Sequence, residues 1–302
     1  MMTTKINSVE NKISGILLIN KPAGITSFDV IRKLRNTLRI KKIGHCGTLD
    51  PFASGLLIVC IGEATKVVEY FSVLDKKYVA VLHLGINTDT YDKDGKITGK
   101  KEVAVSCEDI TEVLEKFSGK IKQIPPEYSA IKINGIRSYK LARAGVKAEL
   151  PEREIEVFSS KIMNISLPFV TIEFHCSKGT YIRSLANDIG KSLDTGAHLH
   201  NLSRTQIGDF DILNAFDIDC CKEQLIERII PIKEALYFID SLTIKSEYKN
   251  EICFGRKLFN SYFIETANSN NTYKIFDENK TLLAIVECYG ENIFKSKKVF
   301  VQ

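Results

Sequence analysis

The sequence predicts an α+β fold: a mixed, largely antiparallel sheet with flanking helices and a basic insertion, followed by a small C-terminal β module. Three observations predict it. Apolar periods of two and of 3.6 succeed one another without strict β–α–β alternation. VTIEFHC (170–176) alternates apolar and polar residues at every position, as a strand with one covered face does in an antiparallel or mixed sheet. From about residue 245 the chain breaks into short strand-like runs around turn residues.

In chain order, GILLIN (15–20) reads as a strand. After KPAGITS a helix is expected from about Ser27 to Leu38, with Thr26 and Asp29 forming a capping box. Phe28, Ile31, Leu34 and Leu38 then share one face, and the basic residues point outward. GHCGTLDPFASG (44–55) reads as a loop, LLIVCI (56–61) as a buried strand and 63–74 as a helix. KYVAVLHL (77–84) is a strand, and 121–153 a projecting basic insertion with a short helix near 139–144. The strand 170–176, a helix near 181–193 and a strand over 198–207 complete a first domain, 1–230. In the second, 231–302, strands are expected in FGRKLF, YKIF, TLLAIVECYG and KKVFVQ.

The composition, 44% apolar and 26% charged, is that of a soluble globular protein. No apolar run approaches the ~20 residues of a membrane span, and the N-terminus lacks a signal core, so a cytoplasmic protein is expected. The eight cysteines form no CxxC and read as reduced, several of them core residues. The five histidines form no HExxH. His198 and His200 share an HxH spacing without a nearby third ligand, so no metal is expected. The net charge of +5 is concentrated: residues 31–44 hold six basic residues and 132–147 five, with no acid in either. Each stretch is a solvated face or the footprint of a polyanion. Gly190-Lys191-Ser192 has the tail of a phosphate loop, but Leu185 stands where the loop needs glycine.

The loop 44–55 carries a lone carboxylate. Its glycines allow close approach, and Pro51 biases Asp50 toward an extended conformation. Asp50 either closes a turn or is aimed at a ligand from the mouth of a buried strand.

INKPAGITSFDVIRKLR (19–35), GHCGTLDPFASGLLIVCIGEATK (44–66), KKYVAVLHLGINTDTYDKDG (76–95), PPEYSAIKINGIRSYKLARAG (125–145), SKGTYIRSLANDIG (177–190) and LSRTQIGDF (202–210) resemble, in order, the motifs of the TruB family, the bacterial tRNA pseudouridine-55 synthases. The resemblance spans about 19–210, and the C-terminal region resembles the family's small PUA-like module. It implies isomerisation of one T-loop uridine of tRNA, at position 55, by base flipping and exchange of a C–N for a C–C glycosidic bond. The family's catalytic aspartate falls on Asp50 and the residue stacking on uracil on Tyr78. Tyr181 and Arg183 match the third motif, with Arg183 holding Asp50; Leu202 lines the base pocket and His45 fills space in the opened T loop. Lys66 closes the second motif and is expected near the site. Arg32, Lys41, Lys132, Arg137 and Arg143 are expected on the RNA backbone, with the insertion acting as a clamp.

No cofactor is implied, because nothing is oxidised and no group is lost. A single carboxylate suits an isomerisation, whereas glycoside hydrolysis usually uses two. Attack of Asp50 at C1′, attack at C6 and removal of the C2′ proton all remain open. The expected partner is the tRNA T stem-loop, with no obligatory protein partner and a monomeric chain. The rival readings are a tRNA-folding chaperone with incidental catalysis, a base-flipping deaminase or glycosidase, and a guide-RNA-dependent synthase. Cys46 stands where the family often has threonine or another small residue.

Overall fold

The computed structural model describes residues 13–129, 131–133, 135–146, 150–267, 272–290 and 292–300. A ten-stranded sheet carries the first part of the chain. Its main path runs Phe216–Asp217, Gly15–Lys21, Ser54–Ile61, Ala197–Ile207, Lys76–Leu84, Phe169–Cys176, Arg153–Ser166, Gly119–Gln123. Two neighbours on this path are parallel, Gly15–Lys21 with Phe216–Asp217 and Ser54–Ile61 with Ala197–Ile207; the rest are antiparallel, as expected. The second parallel junction is short. Only Ser203 opposite Ser54 and Arg204 opposite Gly55 are in register, and the strands then part. The cleft described below opens there.

Patterning explains the layers. Lys76–Leu84 and Phe169–Cys176 alternate strictly between buried and half-buried residues. Ala80, Leu82, Ile172 and Phe174 share one apolar cluster with Leu185 and Ile189 of the helix Ile182–Ser192. Gly190 lets that helix approach the sheet: a Cβ there would lie 2.2 Å from Ala197 N. The Gly-Lys-Ser tail therefore ends a packed helix, as the absent glycine implied.

The helix Ser27–Leu38 begins with the expected capping box: the Asp29 backbone N–H donates to Thr26 Oγ1 at 3.1 Å, and the Thr26 N–H to Asp29 Oδ2 at 2.9 Å. Its buried stripe is Val30, Ile31, Leu34 and Leu38; Phe28, expected on that face, is 59% exposed. Its ring lies instead under the Arg35 guanidinium, 5.9 Å from the centroid, and Val30 is buried in its stead.

Three further expectations are corrected. Residues 44–46 are not loop: Ile43–Cys46 pairs antiparallel with Ser54–Ile61, which shortens the loop to 47–53. The expected helix 63–74 is a 3-10 turn, Gly62–Val67, followed by the short helix Val68–Ser72. The insertion is also shorter than 121–153, because Arg153 pairs with Gln123 and Ile155 with Ile121 inside the sheet. Between these paired strands lie the hairpin Lys132–Ile133/Ile136–Arg137 and the helix Ser138–Arg143.

Near the C-terminus, five strands run in the order Asp240–Thr243, Thr272–Phe276, Leu282–Tyr289, Ile293–Val299, Leu258–Phe259 around a separate cluster that includes Leu242, Tyr273 and Phe294. Ala235, Leu236 and Ile239 still pack with the first sheet. The module also holds the short helix Lys249–Cys253. Of FGRKLF only the last two residues are strand, and 301–302 of the expected KKVFVQ strand lie outside the described residues. Among the described residues no helix is long and apolar enough to cross a membrane. The cysteines form no disulfide; Cys46, Cys60 and Cys176 are buried, whereas Cys107, Cys221 and Cys253 are exposed.

Candidate active site

The loop 47–53 is held from three sides. Pro51 O accepts from Gly24 N at 2.8 Å and from the buried Lys21 Nζ at 3.3 Å. Leu49 N donates to Ser27 Oγ at 2.9 Å, and that hydroxyl reaches Leu49 O at 3.2 Å. From the third side comes Arg204, buried on Ala197–Ile207. Its Nε donates to Leu56 O at 2.8 Å and its Nη2 to Gly47 O at 3.1 Å, on either side of the loop. Gly55 makes this crossing possible. Its φ is +111°, and a Cβ there would lie 2.3 Å from Arg204 O and 2.6 Å from Arg204 N.

Asp50 thereby projects into a cleft of about 740 Å³ shared with Tyr78, Tyr181, Arg183 and Leu202, a size within the ~300–1,000 Å³ of ligand pockets. Arg183 is 4% exposed. Its Nη2 donates to Asp50 Oδ1 at 3.1 Å, and its Nε lies 2.9 Å from Oδ2 without the alignment of a hydrogen bond. The guanidinium also donates to Thr90 O at 3.3 Å and Tyr128 O at 3.0 Å. Asp50 keeps 33% of its side chain exposed, so it faces both its cation and the cleft.

A second carboxylate shares the guanidinium. Asp92 Oδ2 lies 3.4 Å from Arg183 Nη1, and its Oδ1 accepts from Thr90 Oγ1 at 2.6 Å and Asp94 N at 3.1 Å. Burial pushes the Asp92 carboxyl above the usual range, against the opposing pull of the Thr90 hydroxyl and Arg183. The expectation of a solitary acid is thus corrected. No second carboxylate occurs in the loop, but one arrives from a distant segment tied alongside Ala197–Ile207: Leu199 N donates to Tyr91 O at 2.9 Å and Lys93 N to Leu199 O at 3.0 Å.

Tyr78 and Leu202 come from adjacent antiparallel strands, with Tyr78 opposite Arg204 and Ala80 opposite Leu202. Burial raises the Tyr78 phenol pKa, with Arg204 opposing, and burial likewise raises that of Tyr181. Tyr181 is the N-cap of the helix that carries Arg183. The Gln123 side chain holds both its backbone groups: Tyr181 N donates to Oε1 at 2.8 Å and Nε2 donates to Tyr181 O at 3.1 Å. Lys76, also on the cleft, is lowered to about 8, chiefly by burial.

Other expected residues are not gathered there. Lys66 turns the opposite way, donating to Val299 O at 2.8 Å and pairing with Glu63 at 2.5 Å; it joins the first sheet to the C-terminal module. It follows a strand that ends at Ile61, well beyond the loop, so its motif position does not bring it to the cleft. His45 sits on Ile43–Cys46, outside the cleft lining, half-buried and with Nδ1 unpartnered. Burial and then Arg204 lower its pKa. Cys46 packs beneath, its Sγ 3.5 Å from that of Cys60.

Of the basic residues, Arg137 lines the cleft and Lys132 is its cross-strand partner in the hairpin. Lys41 lies in a surface groove with Arg35 and Arg39. Arg32 is paired to Asp29 at 2.6 Å. The Arg143 side chain lies outside the described residues. Asp92, Arg204 and Gln123 escaped sequence reasoning, although TDTYDKDG and LSRTQIGDF stood inside the recognised blocks.

Known proteins share this arrangement of sequence and fold. A family model described as TruB family pseudouridylate synthase, N-terminal domain, matches residues 35–182. Over 293 residues the chain is 42% identical to tRNA pseudouridine synthase B of Clostridium kluyveri, covering 96% of this chain and 100% of that protein. It is 40% identical over 303 residues to tRNA pseudouridine synthase B of Staphylococcus saprophyticus, covering 95% and 99%. Among solved structures, the archaeal box H/ACA sRNP Nop10–Cbf5 complex contains a chain of the same fold, with a TM-score of 0.73 at 24% identity, covering 96% of this chain and 87% of that one. The ordered motifs, the shared fold and these near-full-length matches agree: the chain belongs to the TruB family of pseudouridylate synthases.

Proposed function

We propose that this chain is a tRNA pseudouridine synthase that isomerises the T-loop uridine at position 55, in the cytoplasm, as a monomer without an obligatory protein partner. The observation that carries the reading is the Asp50 carboxylate gripped by a buried guanidinium in a cleft walled by Tyr78 and Leu202. The names of the relatives support tRNA as the substrate.

A uridine inside a folded loop must be everted, at a cost of a few kcal/mol. Tyr78, stacked on the uracil, returns ~1–3 kcal/mol, and Leu202 closes the apolar side. Asp50 acts on the everted nucleotide. The C1′–N1 bond breaks, the uracil turns, and a C1′–C5 bond forms; C5 loses a proton and N1 gains one, so no atom is lost and no redox partner is required. We assign Tyr181 to the C5 proton: its phenol, kept protonated at rest by burial, accepts that proton only as it passes its own on toward N1. Arg183 orients Asp50, and Asp92 holds Arg183.

Contacts to the RNA backbone are assigned to Arg137 at the cleft, Lys132 beside it, and Arg32 and Lys41 on the outer helix face and groove. His45, at the entrance to the loop, is assigned to the opened T loop. The insertion does more than clamp, because Tyr128 O is one of Arg183's partners. Deleting 127–148 should lower both tRNA affinity and turnover.

The deciding experiment is tritium release from a T-arm hairpin labelled at uridine C5, without any protein partner. Wild-type protein should release the label and Asp50→Asn should not; release by Asp50→Asn, or none by the wild type, would overturn the reading.

A further inference from the structure

We propose that the chain holds a divalent transition-metal ion, with Zn²⁺ the best chemical match, between His83, His198 and His200, on the face of the main sheet turned away from the cleft. The inference is independent of the uridine chemistry.

The sequence suggested a pair without a third ligand. The fold supplies the third, because His83 and His198 are direct cross-strand partners on adjacent antiparallel strands. His200 follows on the same strand at an irregularity in pairing, where Leu199 faces Leu82 and Asn201 faces Val81. One ligand nitrogen from each of the three imidazoles lies within 4.8 Å of the others. Alternation along Lys76–Leu84 places His83 on the face opposite Tyr78.

The ring geometry is close to a bound one. Three imidazoles on one tetrahedral ion, with metal–nitrogen bonds of about 2.1 Å, have centroids about 5.3 Å apart. The observed separations are 5.0 Å for His83–His198, 6.0 Å for His83–His200 and 6.4 Å for His198–His200. Binding requires the ligand nitrogens, now within 4.8 Å of one another, to close to about 3.4 Å by side-chain rotation.

The surroundings also suit a ligand set. His198 Nδ1 lies 3.0 Å from Ile86 O, and a carbonyl only accepts, so Nδ1 carries the proton and Nε2 presents its lone pair. Phe169, opposite His83 on the other side, stacks on His83 at 4.5 Å and meets His200 at 5.0 Å, giving the site an apolar wall. Three imidazole nitrogens and no carboxylate in the group select Zn²⁺, Cu²⁺ or Ni²⁺ over Mg²⁺ or Ca²⁺. Three protein ligands leave a fourth position for water. Lys93, whose charge reaches His200, opposes a cation and makes the site weaker than a closed structural centre. An ion here would staple the strands that carry Tyr78 and Leu202.

The test uses untagged full-length protein, stripped with chelator and titrated with Zn²⁺ by calorimetry and with Co²⁺ by visible absorption. One equivalent of Zn²⁺ should bind with a dissociation constant at or below about 10 µM and raise the melting temperature. Co²⁺ should give tetrahedral ligand-field bands without thiolate charge transfer. His200→Ala and His83→Phe should each weaken binding beyond the ~10–100-fold typical of an outer-shell change, with unaltered far-ultraviolet circular dichroism; His175→Gln should leave it intact. Absence of Zn²⁺ binding, thiolate bands from the cysteines, or full binding by folded His200→Ala and His83→Phe would overturn the proposal and leave a stacked aromatic cluster only.

Discussion

Replacing Asp92 by Asn separates positioning from packing. The Asn Oδ1 can keep both bonds, from the Thr90 hydroxyl and the Asp94 N–H. Its amide nitrogen then stands where Oδ2 met Arg183 Nη1, so a donor faces a donor and the guanidinium loses one of its two carboxylates. The Oδ2–Nη1 contact is an ion pair rather than a hydrogen bond, and partners in one salt-bridge network couple by up to ~3 kcal/mol. If that holds Arg183, and through it Asp50, in the reactive geometry, kcat falls by about 10–100-fold. Stability moves differently. Because burial raises the folded-state pKa of Asp92, the folded chain binds more protons than the unfolded one between the two pKa values. The group's favourable contribution is complete below the unfolded value, about 3.9, and is lost as pH rises through the folded value. At neutral pH ionisation of Asp92 is therefore a net cost to the folded chain, which offsets the donor–donor contact that Asn creates, and Asp92→Asn should unfold near the wild-type urea concentration. The assays are single-turnover tritium release and urea denaturation at pH 7. Turnover within twofold of wild type, or a loss of activity matched by a loss of stability, would refute the reasoning.

Other perturbations follow the same geometry. Arg183→Met leaves the buried Asp92 uncompensated and should cost ~3–5 kcal/mol in urea denaturation, with tritium release abolished. Gly55→Ala must relieve an overlap with the Arg204 backbone and a φ of +111°; strain of ~1–3 kcal/mol and overpacking of ~1–3 kcal/mol should appear together as a lowered denaturation midpoint. Lys76 has a folded-state pKa of about 8, so the folded chain releases this proton before the unfolded one does. Stability should therefore rise between pH 8 and about 10, and that slope should be shallower in Lys76→Met. Arg137→Ala should weaken T-arm binding and reduce the salt dependence of log Kd by about one counterion, measured by filter binding from low to moderate salt.

Much of the sheet was legible because local pattern and tertiary role coincide there. Lys76–Leu84 and Phe169–Cys176 alternate because one face is packed, and the capping box at Thr26 is a purely local device. Asp50 was legible because its constraints, Pro51 and the glycines, are its chain neighbours. Asp92 was not, because its significance comes from a guanidinium 91 positions later in the chain. Arg204 gave no signal either: one arginine in a strand looks like any solvent-facing residue until Gly55 is placed against it. The motif position of Lys66 suggested proximity to the cleft, yet the strand between carries it to the far end, where its partner is a C-terminal carbonyl. The third histidine of the opposite face was hidden for the same reason, since strand order, not spacing, brings His83 beside His198.

The two-residue parallel junction has a wider consequence. Asp50 is delivered by the first quarter of the chain, and Tyr78 and Arg183 by later segments. Where these regions abut, the ladder alone is too brief to fix their mutual orientation. Arg204 acts as a cross-brace, anchoring to carbonyls on both flanks of the acid's loop from the strand that also presents Leu202. The relative alignment of Asp50, Tyr78 and Arg183 therefore depends on Arg204, and damage at that brace would yield a folded protein in which Asp50 no longer faces the cleft.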